Sequence, residues 1–226
     1  MFLPLRDENP TSRFPAVTVA LIALNAAVFI FCAVSPGGLD ASSARFGAVP
    51  YDIVHFRSPA AAAPVPPLLT LLTSMFLHGS LFHLLGNMLY LWIFGDNVED
   101  RLGRLRFLLF YLACGAAAGL TQVLFQAGSR LPMIGASGAI AGVLGAYAAI
   151  FPRARIRTFV FLFIYIDVVP VPAAVILGLW FLLQVLNVGL GGGVAWFAHI
   201  GGFLAGLVLA RLALGKGRLR VDWRKS

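Results

Sequence analysis

Apolar residues run through this chain in blocks, not in the alternation of a half-buried strand. A bilayer core about 30 Å thick is crossed by about 20 residues rising about 1.5 Å each. Six blocks approach that length between charged or Gly/Pro-rich breaks. The first, Pro15 to Val34, is too long for a signal-peptide core and lacks a small-residue cleavage pattern, so it reads as retained. The second, Leu81 to Phe94, is extended upstream by Leu68 to Leu77. Phe107 to Phe125 is the third, and Ser137 to Phe151, stopped by Pro152, is a short fourth. Pro170 and Pro172 interrupt the stretch Phe159 to Val188; Val171 to Val188 is taken as the fifth span, with Thr158 to Val169 leading into it. Val194 to Leu214 is the sixth. The expectation is an all-α, polytopic membrane fold, a single domain over 1–226, with helices at approximately 15–34, 70–94, 105–126, 137–151, 171–188 and 194–214.

Composition agrees with that pattern. Of 226 residues, 60% are hydrophobic and 12% charged, whereas soluble domains carry about 25% charged residues. A soluble globule and a disordered chain are both excluded. The net charge of +8 raises the question of nucleic acid, but the cations follow topology. With six crossings one side receives Arg6, Arg13, Arg101, Arg104, Arg106, Arg153, Arg155, Arg157 and the cluster from Arg211 to Lys225. The other side receives only Arg45, Arg57 and Arg130. The positive-inside rule places both termini in the cytoplasm and removes the motive for a nucleic-acid partner. Cys32 and Cys114 lie inside apolar blocks and read as small buried hydrophobes, not a disulfide or metal framework. The run Ala60 to Pro67 reads as an irregular connection in a long outer loop.

Hydrogen-bonding side chains within a bilayer are costly unless paired or wet, which makes them the functional candidates. His83 and Asn87 in HLLGN share one helix face at i, i+4; Ser137 opens the fourth helix in GASGAIAG; His199 stands in AHIGGFLAG. The second, fourth and sixth helices run the same way, so these groups fall at similar depth below the outer surface. The fourth helix spans only about 22 Å, about 8 Å less than the hydrocarbon core, which sinks Ser137 into a cavity water can enter. Gly138, Gly142 and Gly145 keep one stripe of that helix bare, and Gly202 and Gly206 follow His199 on its own face. Such small-residue patterns let helices approach closely. They predict contact between Ser137 and His199.

A serine hydroxyl needs a base to take its proton, and a neutral histidine is one. Asp96, Glu99 and Asp100 are on the wrong side, and Asp40 and Asp52 lie in a distant loop, so the expectation is a Ser/His dyad without a third carboxylate. The Ser137 backbone N–H, at a helix N-terminus, and the His83 and Asn87 side chains supply oxyanion donors. Gly135 permits a tight turn and close approach of a substrate backbone. His78 is placed at the outer mouth, His55 in the outer loop, and Asp167 near the start of the fifth span without a role.

The segments HGSLFHLLGNM (78–88), GASGAIAG (135–142) and AHIGGFLAG (198–206), in that order on the second, fourth and sixth helices, resemble the rhomboid family of intramembrane serine proteases. The resemblance implies a six-helix bundle in which Ser137 is the nucleophile, His199 the base, and His83 and Asn87 oxyanion partners. It also implies cleavage of other proteins' transmembrane segments near their outer ends, substrate access beside the second and fifth helices, and no metal or organic cofactor. Two departures stand out: Ala141 occupies the place, one turn after the serine, where some members carry a tyrosine that packs on the base, and the first outer loop has no Trp-Arg pair. With no soluble domain appended, the expectation is a minimal serine endopeptidase of a bacterial inner membrane whose site opens outward. A non-catalytic adaptor that binds client helices is the nearest alternative. A proton pathway would want paired intramembrane charges, and a metalloprotease an H-E-x-x-H motif; neither is present.

Overall fold

The computed structural model describes residues 2–57, 65–162, 165–190 and 193–218. Most of the irregular connection at Ala60 to Pro67 and the last basic residues of the tail lie outside the described residues. The chain forms β1 (Phe2–Asp7), α1 (Ala16–Val34), α2 (Gly38–Phe46), α3 (Pro50–His55), α4 (Thr70–Thr73) between two 3₁₀ turns, α5 (Leu81–Leu102), α6 (Arg104–Phe125) and α7 (Ser137–Ile150). It continues with β2 (Arg155–Leu162), β3 (Tyr165–Pro172), α8 (Ala173–Leu186) and α9 (Trp196–Arg218). By length and apolarity α1, α6 and α9 can each cross a membrane, and so can the bent pair Pro67–Phe76 plus Leu81–Leu102 if it is one span. α7 and α8 are shorter apolar helices.

Helix ends follow local chemistry. The Ser80 hydroxyl accepts from the His83 amide 3.1 Å away and starts α5. Pro152 follows the end of α7, and Pro172 precedes α8. At the opposite end of α5, buried Glu99 accepts from the Val17 and Thr18 amides and the Thr18 hydroxyl at 2.8–3.0 Å. These are free donors at the start of α1, so the carboxylate ties the first helix to the bundle.

α7 is the central helix. Every residue from Ala139 to Tyr147 is buried, as a helix apolar on all sides should be. Its glycines set how close its neighbours come. A methyl group on Gly145 would meet the Phe203 carbonyl, one on Gly202 the Gly138 carbonyl, and one on Gly206 the Gly142 carbonyl. α7 and α9 therefore pack backbone on backbone. Gly138 and Gly142 also face Ala118 and Cys114 of α6.

The structure departs from the sequence-based expectation in two places. Residues read as a lead into the fifth span form the hairpin β2–β3, paired antiparallel from Arg155 with Pro172 to Leu162 with Tyr165, and β1 pairs antiparallel with the other edge of β2. Ile156, Thr158 and Val160 point inward and are buried, a two-residue period proper to a strand. Pro170 and Pro172 fit because β3 is an edge strand, where a missing N–H breaks no ladder. The second departure concerns the segment before α5. It does not prolong that helix but bends from it by 82°. Leu77 and Ser80 are extended, so a new helix starts at Ser80.

Candidate active site

His83, Ser137 and His199 lie in the first turns of α5, α7 and α9, and with Asn87 they line one cavity of about 860 Å³. The Ser137 Oγ lies 2.8 Å from His199 Nε2. Gly135 has φ 121°, a conformation that favours glycine. What approaches it within the protein is His83: a methyl group there would come 2.8 Å from His83 Nε2 and 3.6 Å from Ser137 Oγ. The Gly135 amide donates to the Ser74 carbonyl at 2.9 Å, fixing the turn that delivers Ser137. The Asn87 Nδ2, buried, makes no hydrogen bond within the described structure. A buried donor left unpaired is costly, and this one belongs to a side chain that lines the same cavity as Ser137.

His199 is held from α8, without help from Ala141. Its Nδ1 lies 2.8 Å from Gln184 Oε1. The Trp180 ring lies 5.9 Å away, and Trp196 stands edge-on at 6.1 Å. Gln122 of α6 accepts from the Ala198 amide at 3.1 Å, which satisfies a donor at the start of α9. Gln184 and Gln122 escaped the sequence reading, although each stands in an apolar block and both obey the rule that singled out the histidines.

Other candidates are placed elsewhere. His78 is not at the mouth; it is 2% exposed and packs edge-on against His83 at 5.0 Å. Asp167 stands on β3, accepting from the Val168 amide, and His55 ends α3, stacked on Tyr51. Asp40 and Asp52 stand on the short helices α2 and α3, within the connection between α1 and α4. Glu99 and Asp100 sit at the far end of α5, about 24 Å along the helix from His83. Among the described residues no group of three His, Cys, Asp or Glu is placed to hold a metal ion.

A family model described as Rhomboid domain matches residues 66–216. The chain belongs to the rhomboid family. It is 34% identical over 151 residues to Rhomboid protein 1, mitochondrial, of Saccharomyces cerevisiae, a match covering 62% of this chain and 40% of that one. Rhomboid protease GluP of Bacillus subtilis is 38% identical over 147 residues, covering 64% of this chain and 26% of the relative. RHOMBOID-like protein 4 of Arabidopsis thaliana is 35% identical over 147 residues, 64% of this chain and 34% of the relative. The rhomboid chain thus spans less than half the length of these curated relatives. It is a mainly helical, polytopic membrane protein, and the matched region contains all the cavity residues named above.

Proposed function

We propose that this rhomboid protein is a serine endopeptidase that hydrolyses peptide bonds in or near transmembrane segments of other membrane proteins. The observation that carries the reading is the 2.8 Å approach of Ser137 Oγ to His199 Nε2 in a cavity open to water-sized molecules. His199 takes the hydroxyl proton as Ser137 Oγ attacks the scissile carbonyl carbon. The resulting oxyanion is met by the Ser137 amide, the free Asn87 Nδ2 and His83. Collapse of this intermediate breaks the C–N bond, and His199 returns the proton to the leaving amine. A water molecule, deprotonated in turn by His199, then attacks the acyl-ester carbonyl carbon; the ester C–O bond breaks as His199 returns the proton to Ser137 Oγ, and the new carboxyl terminus leaves. No metal or organic cofactor takes part.

In this reading the apolar helices make six crossings, α4 and its turns being re-entrant beside α5, with both termini cytoplasmic and the cavity open to the outer face. The Arg/Lys distribution supports that sidedness. The setting is a multi-pass protein of a bacterial inner membrane; the substrates are transmembrane proteins presented through the bilayer. The test is cleavage of a single-span reporter protein in proteoliposomes. Wild type should cut it and Ser137→Ala should not; cleavage that survives the substitution would show that Ser137 is not the nucleophile.

A further inference from the structure

The hydrogen bonds around His199 have directions that can be worked out from an end that allows only one. The Trp180 backbone carbonyl can only accept, and the side-chain amide facing it at 3.0 Å is Gln184 Nε2. This sets the Gln184 amide, so its carbonyl oxygen is the atom 2.8 Å from His199 Nδ1. A carbonyl also only accepts. The proton of a neutral imidazole therefore sits on Nδ1, since the opposite tautomer would set two lone pairs against each other at that distance. Nε2 is left bare, 2.8 Å from the Ser137 hydroxyl. The chain of donors runs in one sense, from Ser137 through His199 and Gln184 to the backbone of α8.

We propose that Gln184 is a positioning residue for the reaction: its side-chain carbonyl holds His199 in the Nδ1–H tautomer and in the plane that points Nε2 at Ser137. The inference rests on the Ser137/His199 reading above. Gln184 is 6% exposed, so water does not readily replace it. Its neighbour one turn earlier, Trp180, lies beside the same imidazole ring, so α8 contributes both the hydrogen bond and the packing that Ala141 cannot. Gln184 is also neutral. It orients the base without adding a counter-charge, and a carboxylate in its place would favour the imidazolium.

Two measurements test the proposal on the full-length protein in detergent micelles. The first is the ¹⁵N spectrum of the His199 ring, assigned by comparison with His199→Ala. Wild type should show Nδ1 protonated and Nε2 bare; the reverse pattern overturns the proposal. This readout needs no turnover, so it stands apart from the dyad reading, which fails if Ser137→Ala still cleaves substrate. The second is kinetic. Gln184→Leu should lower kcat about tenfold with KM nearly unchanged, a loss of about 1.4 kcal/mol in transition-state stabilisation that falls within the range of one neutral hydrogen bond. It should also give a mixed-tautomer spectrum, and a wild-type kcat overturns the proposal. If Gln184→Leu does not fold, Gln184→Glu decides. The retained acceptor should keep the enzyme active while the acid limb of the pH–rate profile moves to higher pH, because the base is harder to deprotonate; an unmoved limb overturns the proposal.

Discussion

Replacing Gly202 by alanine tests the packing that brings the two halves of the site together. The added methyl carbon would fall on the Gly138 carbonyl oxygen and 3.3 Å from the Ala118 methyl. Backbone cannot rotate away as a flexible side chain would, so α7 and α9 must part by about 1 Å or more to restore ordinary contact distances. Overpacking of this kind costs about 1–3 kcal/mol of stability. Ser137 adjoins Gly138, and His199 lies one turn before Gly202. The same separation therefore stretches the 2.8 Å approach of Ser137 to His199 to roughly 4 Å, outside hydrogen-bonding range. A misplacement of about 1 Å at reacting groups lowers rates by about 100-fold. The assay pairs reporter cleavage in proteoliposomes with thermal melting in detergent. Gly178→Ala on α8 is the control, because nothing lies within 4 Å of its added methyl; it should keep the wild-type rate and melt no lower. A Gly202→Ala protein that cleaves and melts like wild type would refute the backbone-on-backbone seam.

Three further outcomes follow from the same structure. His199→Ala should abolish turnover while leaving melting nearly unchanged, since among the described residues His199 is the one side chain that hydrogen-bonds the Ser137 hydroxyl; robust cleavage would remove His199 from the mechanism. Asn87→Ala should lower kcat by about 10- to 1000-fold, the range for one oxyanion donor, and an unchanged kcat would mean that its free Nδ2 meets no developing charge. At the opposite end of the bundle, Asp7 accepts from Tyr147 at 2.8 Å and Asn97 at 2.6 Å. Burial raises its carboxyl to about 7, with the nearby Asp96 charge acting the same way. Because the folded value lies above the unfolded one, the stability this group contributes is present at low pH and lost as pH rises through about 7. Asp7→Asn keeps an acceptor without the titration and should flatten the fall in melting temperature across that window; a slope equal to wild type would contradict this.

The helical part of the fold was legible because solvent imposes it: long apolar blocks have one stable form in a bilayer, and prolines and charges mark their ends. The site residues could be singled out for the same reason, since polar groups are few in those blocks, and the structure sets Ser137, His199, His83 and Asn87 around one cavity. Three features were not legible. The alternation of Ile156, Thr158 and Val160 is a strand signal, but it is short and runs on into an apolar stretch from Phe159 long enough for a helix, and its pairing with Phe2–Asp7 is a contact across most of the chain. The break before α5 depends on the extended conformations of Leu77 and Ser80, and the short polar step His78-Gly79-Ser80 between two apolar stretches does not by itself tell a bend from a continuous helix. Gln184 lies in a different block from His199, and only the docking of α8 on α9 shows that they meet.

The central claim is chemical and can be read directly by mass. Incubating the protein with a fluorophosphonate and mapping the adduct by peptide mass spectrometry should place one phosphonyl group on Ser137, absent from Ser137→Ala and strongly slowed in His199→Ala. A labelled residue other than Ser137, or labelling of Ser137 at the same rate without His199, would contradict the account.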